Sequence, residues 1–253
     1  MHITPKNMTP RKLSERGLLA LIRHEGLVPG PYLDIKNVWT FGIGHTTNAG
    51  PPDPARMRRG MPTDLDTGIY EAFQLFCADI TAYEAAVLRA VNVQITPHAF
   101  DALVSFHYNT GAIARARLTQ HLCAGNMAAA AHAFLNWRRP PAIKPRREAE
   151  RTMFLHGQYP TGPIPIWSVD PQGWVDRTRP IQLLPEDDAL ALLRTMQTTP
   201  LAVSTSLLPP STPVQALVPS TAPGPSTATS SPASPQSWWT HMMTFLAPLI
   251  WRA

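Results

Sequence analysis

Glu25, Asp34 and Thr40 fall nine and then six positions apart in HEGLVPGPYLDIKNVWTFGIGHTT. Two carboxylates and a hydroxyl on separate short elements can cleave a glycosidic bond by acid–base chemistry. One carboxylic acid gives a proton to the leaving oxygen, and the other carboxylate activates a water. Any one of these residues alone would read as an ordinary solvated or capping group, because such side chains mostly sit on surfaces. Their coincidence around a glycine-containing hairpin is what gives the chemistry weight.

The elements that must position them are legible. Residues 11–24 set Leu13, Leu18, Leu19, Leu21 and Ile22 on one broad apolar face, the pattern of a helix. Gly26 stops it, and Pro29, Gly30 and Pro31 forbid resumption. Glu25 therefore stands at the helix C-terminus. The negative end of the dipole and any burial both raise a carboxyl pKa there, which suits an acid that keeps its proton near neutral pH. Residues 32–35 and 38–44 read as strands around a turn at Lys36-Asn37, where Asn tolerates the left-handed backbone. A turn centred on Asn37 sets Asp34 directly across from Thr40. Gly42 and Gly44 then share that face and leave room for a bulky ligand, although close packing is the commoner use of such glycines. A water held between Asp34 and Thr40 would be the nucleophile.

This stretch resembles the phage-type lysozymes, the endolysins of tailed bacteriophages. Their pattern of Glu-Gly, Tyr-x-Asp and Thr-x-Gly-x-Gly-His stands here as Glu25-Gly26, Tyr32-Leu33-Asp34 and Thr40-Phe41-Gly42-Ile43-Gly44-His45. Family members usually carry Gly in the turn after the Asp, where this chain has Asn37. The resemblance continues through ITPHAFDALVSFHYNTG (95–111), AGNMAAAAHAFLNW (124–137) and PRREAERTMFLHG (145–157), so it covers roughly residues 10–158. It implies hydrolysis, with inversion, of the β-1,4 bond between N-acetylmuramic acid and N-acetylglucosamine in peptidoglycan. Glu25 would be the general acid, Asp34 the base or electrostatic partner, and Thr40 would help place the water. Inversion requires carboxyl groups about 6.5–9.5 Å apart. The resemblance also marks His45 as structural, ion-paired with Asp79. Asn109 is a candidate sugar-amide contact, with Ser105 and Tyr32 as further substrate contacts and Trp137 as core. No cofactor is implied. Two alternatives stay open: a chitinase-like activity with the same chemistry, and a non-catalytic wall-binding or virion protein descended from a lysozyme. Joint retention of Glu25, Asp34 and Thr40 speaks against the second, because binding alone needs no proton donor.

Composition agrees. The 253 residues suffice for one domain of about 150 with a substantial core plus an appendage. The formal charge is +5, and its excess lies in the first 160 residues, with 18 Lys/Arg against 12 Asp/Glu; the remainder holds 4 against 5. Such a field favours encounter with an anionic wall. Arg56, Arg58 and Arg59 form one basic cluster, and Arg138, Arg139, Lys144, Arg146 and Arg147 another, each read as a solvated face. Neither is interleaved with aromatics or set in a nucleic-acid motif, so no nucleic-acid partner is expected. Cys77 and Cys123 read as buried free thiols, a disulfide being left open by sequence alone. No zinc spacing occurs among the nine His, so no metal is implied. MHITPKNMTPRK has neither an apolar run nor a cleavage site, so no signal peptide is read there. The expectation is synthesis in the host cytoplasm, holin-dependent release and action on the wall. Nothing demands more than a monomer.

Residues 63–79 and 80–91 read as two helices, the first capped by Thr63 or Asp64. Thr96-Pro97 starts a buried helix through Phe100, Leu103 and Val104, ending near Gly111. Helices over 118–124, 127–137 and 146–155 follow. The expected class is α+β: a small lobe with a β-hairpin, a larger helical lobe, and a cleft between them. Residues 1–158 would be the catalytic domain. Residues 159–197 hold two Trp around an Asp-Pro-Gln-Gly turn, then a helix opened by Pro185 with Glu186, Asp187 and Asp188 at its positive end. Too short for a core of its own, this segment reads as an accessory element without chemistry. Residues 198–236 are uncharged and rich in Pro, Ser and Thr, a disordered linker. In 237–253, SWWTHMMTFLAPLIWRA is too short and too interrupted by Pro248 to span a bilayer. Its Trp residues suit a membrane interface, so membrane contact is one reading of this tail and packing on the domain the other.

Overall fold

In the computed structural model, which describes residues 11–34 and 36–198, the chain opens on α1 (Glu15–Glu25). The Ser14 hydroxyl accepts from the Gly17 amide and so satisfies one of the unpaired donors of the first turn. The helix is buried from Gly17 to Ile22 and stops at Gly26, whose φ of 76° is one that a side chain would resist. The chain then forms an antiparallel sheet of β1 (Val28–Leu33), β2 (Trp39–Gly42) and β3 (His45–Thr46), in that order.

The hairpin register differs from the expectation by two residues. Tyr32, not Asp34, stands opposite Thr40, and Leu33 stands opposite Trp39. The cause is local. The Asp34 side chain accepts from the amides of Lys36 and Val38, and its own N–H donates to the Val38 carbonyl. These bonds close the loop earlier, while Asn37 does take the left-handed conformation, with φ 58°. A slip of two preserves the faces, so Asp34 and Thr40 remain diagonal neighbours on one side. The second strand is also shorter than expected, because the chain turns back at Ile43–Gly44 into β3.

In the helical lobe, α2 (Leu65–Ala90) is one continuous helix rather than two. Ile69, Phe73, Phe76, Ile80 and Val87 form a single buried stripe across the supposed break. Next come α3 (Pro97–Thr110), α4 (Arg117–Cys123), α5 (Met127–Ala133), a 3-10 turn over Phe134–Trp137, and α6 (Lys144–His156). Thr96 caps α3 and Gly111 ends it. Phe100, Leu103, Val104 and Phe106 of α3 are buried, packed about by α1, α2 and α6. Each such side chain contributes about 1.5–3 kcal/mol by leaving water. The Tyr108 hydroxyl on α3 donates to the Ile43 carbonyl at 2.6 Å and ties the hairpin to this lobe. Cys77 and Cys123 are free thiols, each only partly buried.

Beyond α6 lie β4 (Ile164–Ile166), β5 (Ser168–Val169), β6 (Val175–Asp176), β7 (Gln182–Leu184) and α7 (Glu186–Thr198). β4 pairs with β7, and β5 with β6. This segment shares the main core, to which Ile164, Ile166, Leu184, Ala189 and Leu193 belong. The expected linker and apolar tail fall, but for Thr198, outside the described residues. Among the described residues, no helix is long and apolar enough to cross a membrane.

Candidate active site

Glu25 is the last residue of α1 and is 4% exposed. Its Oε1 accepts from Arg146 Nη1 at 2.8 Å. Arg146 Nε donates to Glu150 Oε1 at 3.0 Å, and Arg146 Nη2 to the Ser105 carbonyl at 3.1 Å. Arg147 pairs with Glu150 Oε2 at 2.8 Å and donates to Asn109 Oδ1 at 2.5 Å. The sequence places both arginines in a solvated basic cluster; the structure buries them. Buried charges must be paired, because an isolated one costs several kcal/mol. Burial pushes the Glu25 carboxyl up and outweighs Arg146, which pulls it down. Glu25 Oε2 has no hydrogen-bond partner among the described residues. One oxygen is therefore pinned while the other is available to carry a proton.

Asp34 shows the same division by other means. It is 5% exposed, and Oδ1 accepts from the amides of Lys36 and Val38, both at 2.8 Å. Oδ2 has no partner among the described residues. Tyr32 lies within electrostatic reach of both carboxylates: burial raises its phenol pKa, Arg177 opposes, and Glu25 and Asp34 add to the rise. Thr40 is fully buried opposite Tyr32, and its hydroxyl donates to the Val38 carbonyl at 3.1 Å.

The expected sugar contacts fare differently. Ser105 is 1% exposed and its hydroxyl donates to Glu150 Oε1 at 2.8 Å, so it serves the ion network rather than a sugar. Tyr32 packs against Val28, Trp167 and Val169, which makes its ring a core element rather than a platform. Asn109 gives its Oδ1 to Arg147, and its buried Nδ2 has no partner among the described residues, so only the amide nitrogen remains to meet a ligand. Trp137 stands edge-on to Phe106, with centroids 5.4 Å apart. His45 Nδ1 lies 2.9 Å from Asp79 Oδ2 and Nε2 lies 2.9 Å from the Pro52 carbonyl. Burial opposes the charge on His45, but the Asp79 hydrogen bond and charge and the Pro52 bond together outweigh it and raise its pKa. Gly42 makes no room for a ligand: a Cβ there would stand 2.7 Å from that of Ala72, so the glycine admits α2. Among the described residues, no cluster of His, Cys, Asp and Glu could hold a metal.

Arg146 is the site residue that sequence reasoning missed. Its signal was present, because positions 146, 147, 150, 153 and 154 recur at helical spacing and Met153 and Phe154 mark that face as buried.

The family described as Phage lysozyme matches residues 22–150. The endolysin of Salmonella phage P22 is 32% identical over 150 residues, 57% of this chain and 98% of the relative. The endolysin of Bacillus phage B103 is 31% identical over 155 residues, 58% of this chain and 55% of the relative. Among solved structures, the endolysin from Escherichia coli O157:H7 phage FAHEc1 aligns with TM-score 0.51 and 29% identity, covering 59% of this chain and 97% of that one.

Proposed function

This chain belongs to the phage lysozyme family and acts on peptidoglycan, and from that premise we propose that it hydrolyses the β-1,4 bond between N-acetylmuramic acid and N-acetylglucosamine with Glu25 as acid and Asp34 as base. The observation that carries the assignment is the matched state of the two carboxyl groups. Each is buried and anchored through one oxygen, and the other oxygen is unpartnered among the described residues. Glu25 Oε2–H gives its proton to the glycosidic oxygen as the bond to C1 breaks. Asp34 Oδ2 takes a proton from the water that attacks C1 from the opposite face, inverting the centre. Thr40, whose own hydroxyl proton goes to the Val38 carbonyl, helps place that water as a hydrogen-bond acceptor. The acid ends deprotonated and the base protonated, and exchange with solvent resets both. Access to the wall through a holin lesion belongs to the same proposal.

Turbidity loss of outer-membrane-permeabilised bacteria tests the acid. Glu25→Gln keeps the shape and loses the proton donor, and activity should fall on the order of 10²–10⁴-fold without a lower Tm. Mass analysis of the reduced muropeptides tests the bond. A reduced muramic acid end is expected, whereas an anhydro-muramic end would mean transglycosylation and overturn the hydrolytic mechanism.

A further inference from the structure

The segment after α6 lies beyond the residues matched by the family, yet it grips the chain on both sides of Glu25 and on the approach to Asp34. Arg23, two residues before Glu25, donates to the carbonyls of Gly162 at 2.6 Å and Pro160 at 2.9 Å, and to Glu186 at 2.6 Å. Leu27, two residues after Glu25, donates to the Pro165 carbonyl at 3.3 Å and accepts from the Trp167 amide at 2.9 Å. A Cβ on Gly26 would stand 3.0 Å from the Trp167 indole nitrogen. Trp167, Val169 and Val175 pack on Val28 and Tyr32 of β1. Leu33, which precedes Asp34, donates to the Gly173 carbonyl at 2.8 Å.

We propose that residues 160–184 are a working third wall of the active site, in which Trp167 fixes the helix end that bears Glu25. Trp167 is thus a positioning residue, and the inference rests on Glu25 being the acid. The physical case is one of rigidity. The segment adds a hold on both flanks of Glu25 to the one Arg146 makes on its side chain, and misplacing a reacting group by about 1 Å can cost on the order of 10²-fold in rate.

The test uses the full chain on permeabilised bacteria, with kcat and KM measured separately and Tm recorded alongside. Trp167→Ala should lower kcat on the order of tenfold with KM kept, and Trp167→Phe should rescue it. A merely structural role would lower Tm and leave kcat of the folded protein where it was. If Glu25→Gln is inactive while Trp167→Ala keeps the wild-type kcat, the third wall is wrong and the acid assignment stands. If Glu25→Gln retains activity, both fall. Should Trp167→Ala fail to fold, Trp167→Leu takes its place, and an unchanged kcat there overturns the third wall.

Discussion

Glu25 and Asp34 bear the same functional group, but the fold holds them in different ways. The anchor of Glu25 is remote: Arg146 lies 121 positions away on α6 and is itself shared with Glu150 and Ser105. Asp34 is anchored by the amides of its own turn, two and four residues on. The acid therefore depends on the assembled helical lobe, whereas the base is oriented by a loop that closes on itself. The physics matches the roles. An acid that must stay protonated gains from burial and from a network that fixes its position, and here burial prevails over the guanidinium. A base must present one free oxygen in a fixed direction, and two amide donors on the other oxygen achieve that within five residues. Damage to distant packing should reach the acid first.

The largest effect should follow from removing the remote anchor. Arg146→Met leaves Glu25 and Glu150 buried without the cation between them. Breaking such a network should cost about 3–5 kcal/mol in denaturant unfolding and abolish lysis. A loss below about 1 kcal/mol would show that the network does not hold the acid. Asp34→Asn sharpens the contrast from the other side. The Asn Oδ1 still accepts from both amides, so stability should change by no more than about 0.5–1 kcal/mol. Activity should nevertheless fall on the order of 10²–10⁴-fold, because the amide cannot take a proton from water. Substantial unfolding in this variant would mean that the turn, and not the chemistry, needs the carboxylate.

The same contrast explains what was legible in the sequence. The helix ending at Glu25, its stop at Gly26 and the turn through Asn37 are local events, and caps and breakers announced them. The register was two residues off because the capping of the loop by the Asp34 side chain leaves no periodic trace, although parity kept Asp34 and Thr40 on one face. Arg146 and Arg147 read as surface because they stand in a run of like charges, and their partners Glu25, Ser105 and Asn109 are remote in sequence. Tyr32 and Ser105, read as substrate contacts, lie inside the core, a distinction that depends on what packs over them. The grip of Trp167 on Gly26 was the least visible feature. Strands of two or three residues carry no alternation to detect, and the contact joins two segments about 140 positions apart.

A third carboxylate, Asp79, gives the smallest effect and extends the comparison, because here a histidine is the anchor. Nδ1 of His45 meets the Asp79 carboxylate and Nε2 meets the Pro52 carbonyl, both acceptors, so both ring nitrogens must carry protons to satisfy them. Charged imidazole is the form the fold prefers, in keeping with the raised pKa. The sign follows from linkage. A His whose folded pKa lies above its unfolded value contributes its full stabilisation below the unfolded value of about 6.5, and that contribution fades as pH rises through the folded value. His45→Asn should therefore cost about 1–3 kcal/mol near pH 6. The gap to wild type should narrow steadily toward pH 9, as the wild-type ring loses a proton and leaves one acceptor facing a lone pair. Paired melting curves at pH 5.5, 7 and 9 measure this, and a gap that stays constant across them would show that the pair carries no charge in the folded protein.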